Sequence, residues 1–406
     1  MKIVQINGSG YYGSTAKIVR QISEILDDNH IENTILCSGY KEKSLDDKTI
    51  CISTPKRVKF HKCLGFIFGN AGFHSKMVTK RLIQYLKQQK PNIVHLHHLE
   101  GYFVHIEYLL KFLKKSKIKT VWTLHDCWPF TGHCTHFTAV KCGKWTTECH
   151  QCPQLKKYPY SLCLDRSRQL YKKKKALLET WEDLYIVNVS RWMDENVAQS
   201  FLKERNHTVI YNGMDVHLFQ PDDSGKALRK QLHLEEKFVI LGVASNWGEQ
   251  KGLQRFIDLS NEMPSDWVIV LVGLTSEQIK EMPERIIGIP KIKNQEELKS
   301  FYNLADVFVN LSLEETMGLV TVEAMACGTP AVVFNSTACP ELLTPNVGEI
   351  LYQQDTEYIM NILKGMYAKG KNFYSAYCRE HAVQHFSLER MQQDYYNYYR
   401  EIEGKD

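Results

Sequence analysis

No stretch of this 406-residue chain approaches the roughly eighteen consecutive apolar residues that a membrane-spanning helix needs. The first strand-like segment, Ile3-Val4-Gln5-Ile6, is far too short to be the apolar region of a secretory signal, so the chain reads as cytosolic. In that setting twelve cysteines read as reduced thiols or metal ligands, and a disulfide framework is excluded. Low-complexity segments and short internal repeats are also lacking. Acid is missing locally: Cys51 to Lys90 holds nine Lys or Arg and no Asp or Glu, and Lys141 to Thr180 holds ten against three acids. Both runs lie in the first half, which is therefore expected to face something anionic, unless they form only a solvated basic face. The net charge of +5 is too modest to imply wholesale coating of nucleic acid.

An apolar fraction of 43% supports real cores, and 406 residues suit two of them. Strand-like and helix-like segments alternate almost throughout, the signature of parallel sheets flanked by helices. Strand candidates in the first half are Lys2–Asn7, Asn33–Cys37, Asn92–Leu96, Thr120–Leu124, Tyr185–Val189 and Thr208–Tyr211. Helical patterns run through Ala16–Leu26, Lys76–Gln89 and Val104–Lys115. Turn formers at Asn212–Asp215 and Gln220–Gly225 mark a linker, and a second series follows. Its strands are Phe238–Val243, Trp267–Val272, Val307–Asn310 and Ala331–Phe334, and its helices include Leu253–Asn261, Gln295–Tyr302 and Leu319–Ala326. The fold class is thus α/β: two Rossmann-like domains, 1–215 and 222–385, facing each other across a cleft lined by strand carboxyl ends. The remainder, 386–406, carries Leu388, Met391, Tyr395, Tyr398 and Ile402 on one helical stripe.

The most informative stretch runs from Ser312 to Pro330. A strand ends at Asn310, a short loop carries Glu315, and a helix carries Glu323 about a turn and a half inside it. The backbone N–H groups of Met317, Gly318 and Leu319 would open that helix, a ready-made diphosphate site, with Gly318 letting the backbone approach closely. Two carboxylates beside a phosphate site make sense if they accept sugar hydroxyls, one from a donor sugar and one from a ribose diol. A capped helix followed by a buried strand would explain the glycine and proline but not a glutamate on an apolar helix face.

Glu315, seven residues, Glu323 and then Ala324-Met325-Ala326-Cys327-Gly328-Thr329-Pro330 resemble the signature of the family-4 retaining glycosyltransferases, which have the GT-B architecture. The resemblance extends to the opening glycines Gly8, Gly10 and Gly13, to Thr123-Leu124-His125-Asp126, to Asn188-Val189-Ser190, to Ile210–Gly213 with Phe219 and Pro221, and to Lys251-Gly252. Among such enzymes it points to bacterial capsular and exopolysaccharide transferases of the colanic-acid type. It implies that Glu315 contacts the donor sugar, Glu323 the ribose, and His125 the sugar near the reacting carbon. It also implies that the final segment packs back on the first domain. The family's basic pair, Arg followed five residues later by Lys, stabilises the leaving diphosphate. Here Lys251 fits the lysine, but Asn246 occupies the arginine position and offers only a neutral donor. Arg255 or a first-domain base could supply the charge. Gly13 and Ser14, opening the first helix, would approach the diphosphate from the other side. Taken alone, His125 is as readily structural, Lys251 a surface residue, and the glycine-rich opening suits a dinucleotide fold. The last loses ground because Cys37-Ser38-Gly39, not an acid, follows the second strand.

Retention of configuration is likewise implied by the resemblance, with front-face attack assisted by the leaving phosphate. No cofactor is demanded for catalysis, since no Asp-x-Asp pair is present to hold a diphosphate through a cation. The expected partners are a nucleotide-diphosphate sugar donor and a glycan or polyprenyl-linked glycan acceptor, not nucleic acid. An epimerase of the same fold or a zinc-stapled nucleic-acid-binding protein are the alternatives, and neither gives Glu315 and Glu323 as good a role. Lys56, Arg57, Lys59 and Lys62 interleave with Phe60, Leu64, Phe66, Ile67, Phe68 and Phe73, which suits a peripheral seat on an anionic membrane surface. Finally, Cys134, Cys142, Cys149 and Cys152 crowd a polar insertion, 127–163, with Cys127, His133, His136 and His150 nearby. The cluster reads either as a closed structural zinc site or as reduced buried thiols.

Overall fold

The computed structural model describes residues 1–10, 13–38 and 47–404; Gly39 and residues 405–406 of the C-terminal segment lie outside these. The chain divides into two compact units, Met1–Tyr211 together with the chain from Gln392 onward, and Asn212–Met391. In both, helices flank a parallel sheet.

The first unit comprises β1 (Lys2–Ile6), α1 (Ser14–Asp28), β2 (Glu32–Ser38), β3 (Thr49–Ser53), α2 (Pro55–Phe68), α3 (Lys76–Gln89), β4 (Ile93–Leu96), α4 (Ile106–Ser116), β5 (Lys119–Leu124), α5 (Ser167–Leu178), β6 (Leu184–Asn188), α6 (Arg191–Gln199) and β7 (Asn206–Val209). Its strands pair in parallel in the order β3-β2-β1-β4-β5-β6-β7. Inner strands covered on both faces must be apolar almost continuously, and β4 and β6 are buried at every position. The helices meet them with one face each; α4 buries Ile106, Leu109, Leu110 and Leu113, the spacing of a single helical stripe.

The second unit comprises α7 (Ser224–Gln231), β8 (Phe238–Val243), α8 (Leu253–Glu262), β9 (Trp267–Leu274), α9 (Ser276–Glu281), β10 (Ile286–Pro290), α10 (Gln295–Leu304), β11 (Val307–Asn310), α11 (Leu319–Ala326), β12 (Ala331–Phe334), β13 (Gly348–Leu351), α12 (Thr356–Lys369), α13 (Lys371–Phe386) and the first turn of α14 (Leu388–Glu403). Its strands are parallel in the order β10-β9-β8-β11-β12-β13. Each sheet reverses its direction of growth once, between β1 and β4 and between β8 and β11. A crevice opens at such a point, outside the strand carboxyl ends.

Four strands depart from the sequence reading. β3, β10 and β13 are absent from it, and the last strand of the first half is Asn206–Val209, not Thr208–Tyr211. All four are the outermost strands of their sheets, where half-burial leaves a mixed pattern; β10 even contains Gly288 and Pro290. In the first unit the helices α2, α5 and α6 also lie outside the reading. In the C-terminal segment, the division between units falls after Met391 and not at residue 386. Met214 donates its N–H to the carbonyl of Phe386 and accepts from Leu388, both at 2.9 Å, which ties residues 386–391 to the start of the second unit.

From Gln392 onward α14 packs in the first unit. Tyr395, Tyr399 and Ile402 are fully buried, and Tyr398, expected on that stripe, is only half-buried. The Tyr399 hydroxyl is hydrogen-bonded to His95 Nδ1 at 2.6 Å and the Tyr395 hydroxyl to Thr123 Oγ1 at 2.9 Å. Lys119 caps the helix by donating to the carbonyl of Ile402 at 2.9 Å. We therefore expect Tyr399→Ala to cost about 3–5 kcal/mol from lost packing, and Tyr399→Phe about 1 kcal/mol from one lost hydrogen bond. Urea unfolding followed by fluorescence measures both, and equal effects would mean that packing and hydrogen bond had been misapportioned.

Candidate active site

In the second unit the loops that leave β8, β11 and β12 meet at the sheet's carboxyl edge. The turn Glu249–Lys251 lies against the segment after β11, where Leu313 donates its N–H to the carbonyl of Gln250 at 2.9 Å. Gln250 also donates its side-chain amide to Glu314 at 3.1 Å. Glu315 is fixed from the other side, its N–H donating to Thr337 Oγ1 at 2.9 Å. The loop is thus held between its neighbours, and the two residues expected to work there come together: Lys251 Nζ donates to Glu315 Oε1 at 2.5 Å. Both side chains are largely shielded, so this pair is worth more than a surface bridge.

Next to them α11 begins at Gly318, whose φ of +86° is open to glycine at little cost. No side chain caps this helix among the described residues. Leu319 opens the helix and Met317 is buried, its sulfur accepting the N–H of Asn212 at 3.2 Å. Glu323 projects half-buried from the same helix and accepts a hydrogen bond from the Tyr302 hydroxyl at 2.7 Å. Burial and Glu323 together hold the Tyr302 phenol well above its ordinary range, so it serves as a donor. The other two expected basic-site residues are placed less centrally. Asn246 is exposed on the loop after β8. Arg255 donates to Gln354 at 2.7 Å and lies over the Phe334 ring at 5.5 Å, on the β12–β13 side.

The first unit places its candidates around the end of β5. His125 is joined through Nε2 to His97 Nδ1 at 3.1 Å, and His97 in turn to Gln5 at 3.3 Å. Burial, then the neighbouring His98 and His97, hold the His125 imidazole well below its ordinary value, so it works as a neutral ring. His98 is different. Burial pulls its pKa down, but Glu100 at 3.6 Å and Asp126 at 3.4 Å outweigh this and raise it. Asp126 is itself pushed up to about 6, mainly by burial and then by Glu100, while the Trp128 N–H it accepts at 2.8 Å pulls the other way. The ligand atoms of His98, Glu100 and Asp126 all lie within 4.8 Å of one another, the one such group among the described residues. Gly13, at φ +94°, and Ser14 open α1 as exposed residues with no capping side chain. The sequence reading had singled out none of His97, His98, Glu100 or Tyr302. The signal available was His95-Leu96-His97-His98-Leu99-Glu100, a run of imidazoles and one acid at a strand's carboxyl end.

A family model described as Glycosyltransferase Family 4 matches residues 15–218, and one described as Glycosyl transferases group 1 matches residues 224–369. Escherichia coli (strain K12) WcaC, which carries the name of a colanic acid biosynthesis glycosyl transferase, is 23% identical over 343 residues, 77% of each chain. In fold, the chain is similar to sucrose-phosphate synthase from Thermosynechococcus elongatus, with a TM-score of 0.72, 17% identity and coverage of 99% and 98% of the two chains. It is equally similar to Anabaena HepE in complex with UDP, with a TM-score of 0.71, 17% identity and coverage of 99% and 100%. Two parallel-sheet units with these carboxyl-edge constellations define a glycosyltransferase of the GT-B fold. The chain belongs to Glycosyltransferase Family 4.

The charge on His98 depends on its two carboxylates, which gives a titration test. A raised histidine keeps its proton as pH rises until its own folded pKa is passed, so weakening the acids moves that point down. In Asp126→Asn the His98 ring should deprotonate at lower pH than in wild type, while His125 stays neutral across the same range. Ring-proton chemical shifts followed from pH 5 to 9 read both; an unmoved His98 midpoint would mean Glu100 alone sets its charge.

Proposed function

We propose that this enzyme transfers a hexose-type sugar, with retention of configuration, from a nucleotide-diphosphate sugar to a glycan or lipid-linked glycan in surface polysaccharide assembly. The observation that carries the donor half is the constellation of Lys251, Glu315, the uncapped start of α11 and Glu323 at the β8–β11 crevice. An anion is favoured by a helix N-terminus and by Lys251, and the carboxylates of Glu315 and Glu323 are acceptors for sugar and ribose hydroxyls. A diphosphate arriving there would compete with Glu315 for the lysine, freeing the carboxylate for the sugar. Binding and release of that bridge would then be one event. As the diphosphate departs, Lys251 stabilises the growing negative charge. The neutral ring of His125 has the role the family resemblance gives it, hydrogen bonding to the donor sugar near the reacting carbon. Fold likeness to HepE, seen with UDP, supports a nucleotide-sugar donor, and the likeness to WcaC supports a polysaccharide setting. No cofactor takes part in this scheme.

The acceptor half rests on a surface. Helix α2 docks in the first unit through His61, 1% exposed, and Gly65, whose added Cβ would press on the backbone of Ala71 at 3.3 Å. It turns its phenylalanines outwards: Phe60 is 66% exposed, and Phe66, Ile67 and Phe68 are exposed as well. The segment 158–164 joins this face, the Leu162 N–H donating to the carbonyl of Phe66 at 2.9 Å, and adds exposed Tyr158, Tyr160, Leu162 and Leu164. Lys56, Arg57, Lys59 and Lys62 lie on the same helix, all four exposed. Scattered apolar residues mean little, but a contiguous patch with a basic rim fits an anionic lipid surface. Among the described residues no helix is long and apolar enough to cross a membrane, so the seat would be peripheral. Tyr158 also contacts Tyr102 edge-on at 6.0 Å, which leads from the patch to Glu100.

A thermal-shift panel of UDP, GDP and ADP should show one diphosphate raising the melting temperature of wild type but not of Glu323→Gln. No shift with any of them would sink the donor assignment. With the matching sugar nucleotide, Lys251→Ala should lower kcat by about 10²–10³-fold, the scale of one lost charge-stabilising donor. The protein should sediment with vesicles containing anionic lipid at low salt, each cation adding about 1 kcal/mol, and Phe60→Asp should release it. Indifference to lipid charge would remove the membrane from the proposal and leave a soluble glycan acceptor.

A further inference from the structure

Residues 125–166, between β5 and α5, contain a single short helical turn, Lys144–Thr146, and no other helix or strand. Loops of that length are uncommon in compact domains unless something organises them. This one is well packed: Trp128, Phe130, Phe137 and Trp145 are buried, with Phe137 and Trp145 stacked at 4.6 Å. Beside those rings lies a cavity of about 10 Å³ lined by Cys134, Cys142, Cys149 and Cys152 together with His133 and His150. One water would fill that volume, but apart from His133, His150, Lys144 and Ser167 the walls are mainly aromatic rings and sulfur, poor partners for it. They are good surroundings for a soft divalent ion.

Two backbone amides point at these sulfurs. Gly132 donates its N–H to Cys149 Sγ at 3.2 Å, and Cys152 sulfur accepts the backbone N–H of Gln154. Amide donors aimed at sulfur stabilise its charged form. The Cys149–Cys152 turn is held rigid by Asp165, which accepts the Cys152 N–H at 2.8 Å. Lys174 is fully buried, donates to the Trp128 carbonyl at 2.5 Å, and lies 4.1 Å from the centre of the Trp128 ring.

The geometry points to a structural zinc ion held by Cys134, Cys142, Cys149 and Cys152. Four thiol protons leave to solvent as the ion binds, and one Zn²⁺ with four thiolates makes a centre of net charge −2. Among the described residues, no three of the four sulfurs form a compact group within 4.8 Å of one another. Binding would require the four side chains to turn inwards, to a zinc–sulfur distance of about 2.3 Å. All four positions are protein thiolates, so the centre is closed and has no place for substrate. Its work is mechanical: it staples the insertion that begins at Asp126, carries Trp128, and ends in the exposed segment 158–164.

Elemental analysis of the full chain, purified without chelator, should give one zinc per chain. Cys149→Ser and Cys152→Ser should each lose it, whereas Cys163→Ser, an exposed thiol of the same insertion, should keep it. Because the first two variants could misfold for other reasons, the wild-type chain is also prepared with cobalt. Strong visible bands and a near-ultraviolet sulfur-to-cobalt band would establish tetrahedral thiolate ligation without any substitution. X-ray absorption at the zinc edge should fit four sulfurs. A chain free of zinc and without a cobalt spectrum overturns the site, and a nitrogen ligand overturns the four-cysteine assignment in favour of His133 or His150. The diphosphate shift of the second unit is independent of all these readouts, so either proposal can fail alone.

Discussion

Burial of a parallel sheet on both faces governs where chemistry can occur in this protein. Strands such as β4, β6 and β9 have no solvent-facing side, so their polar backbone is consumed by the ladder and their side chains by the cores. Polar groups are admitted at the carboxyl edge, and the two reversals of strand order place the widest openings between β1 and β4 and between β8 and β11. The residues of interest cluster accordingly. Lys251 follows β8, Glu315 follows β11, and His98 and His125 follow β4 and β5. His95, a polar side chain inside the first sheet, is matched by Tyr399 and Thr123.

The two candidate constellations differ in their electrostatics. The second unit pairs one cation with one carboxylate, a neutral couple. The first unit confines one imidazole between two acids, with a net negative balance, and holds the neighbouring imidazoles neutral. Opposite preferences for incoming charge follow: the first suits hydroxyl donors, and the second suits an anion.

What the sequence discloses follows from how local each signal is. The Glu315–Glu323 spacing, Lys251 and His125 are legible because their identities lie within short contiguous motifs, and inner strands are legible because burial makes them uniformly apolar. The edge strands β3, β7, β10 and β13 are obscured by half-burial. Helix α2 escapes notice for a related reason: it buries a histidine and a glycine and exposes its phenylalanines, so its pattern inverts the usual stripe. The partnership of Tyr302 with Glu323, or of His98 with Asp126, joins residues from different elements, and only folding brings them within reach. Tyr399 illustrates the finest grain. The stripe along α14 is visible, but whether Tyr398 or Tyr399 points inwards is decided by a hydrogen bond to a residue some three hundred positions away.

The outward-turned face of α2 has a consequence for the protein alone in solution. Its lysines and arginine repel a second copy of the same face, and the phenylalanines attract it. Screening weakens the repulsion over about 10 Å at ordinary ionic strength and leaves the apolar attraction intact. Salt therefore favours self-association through this surface. The basic residues serve as solubilising guards, and the colloidal behaviour of the chain is set by the same few side chains on which the proposed docking rests.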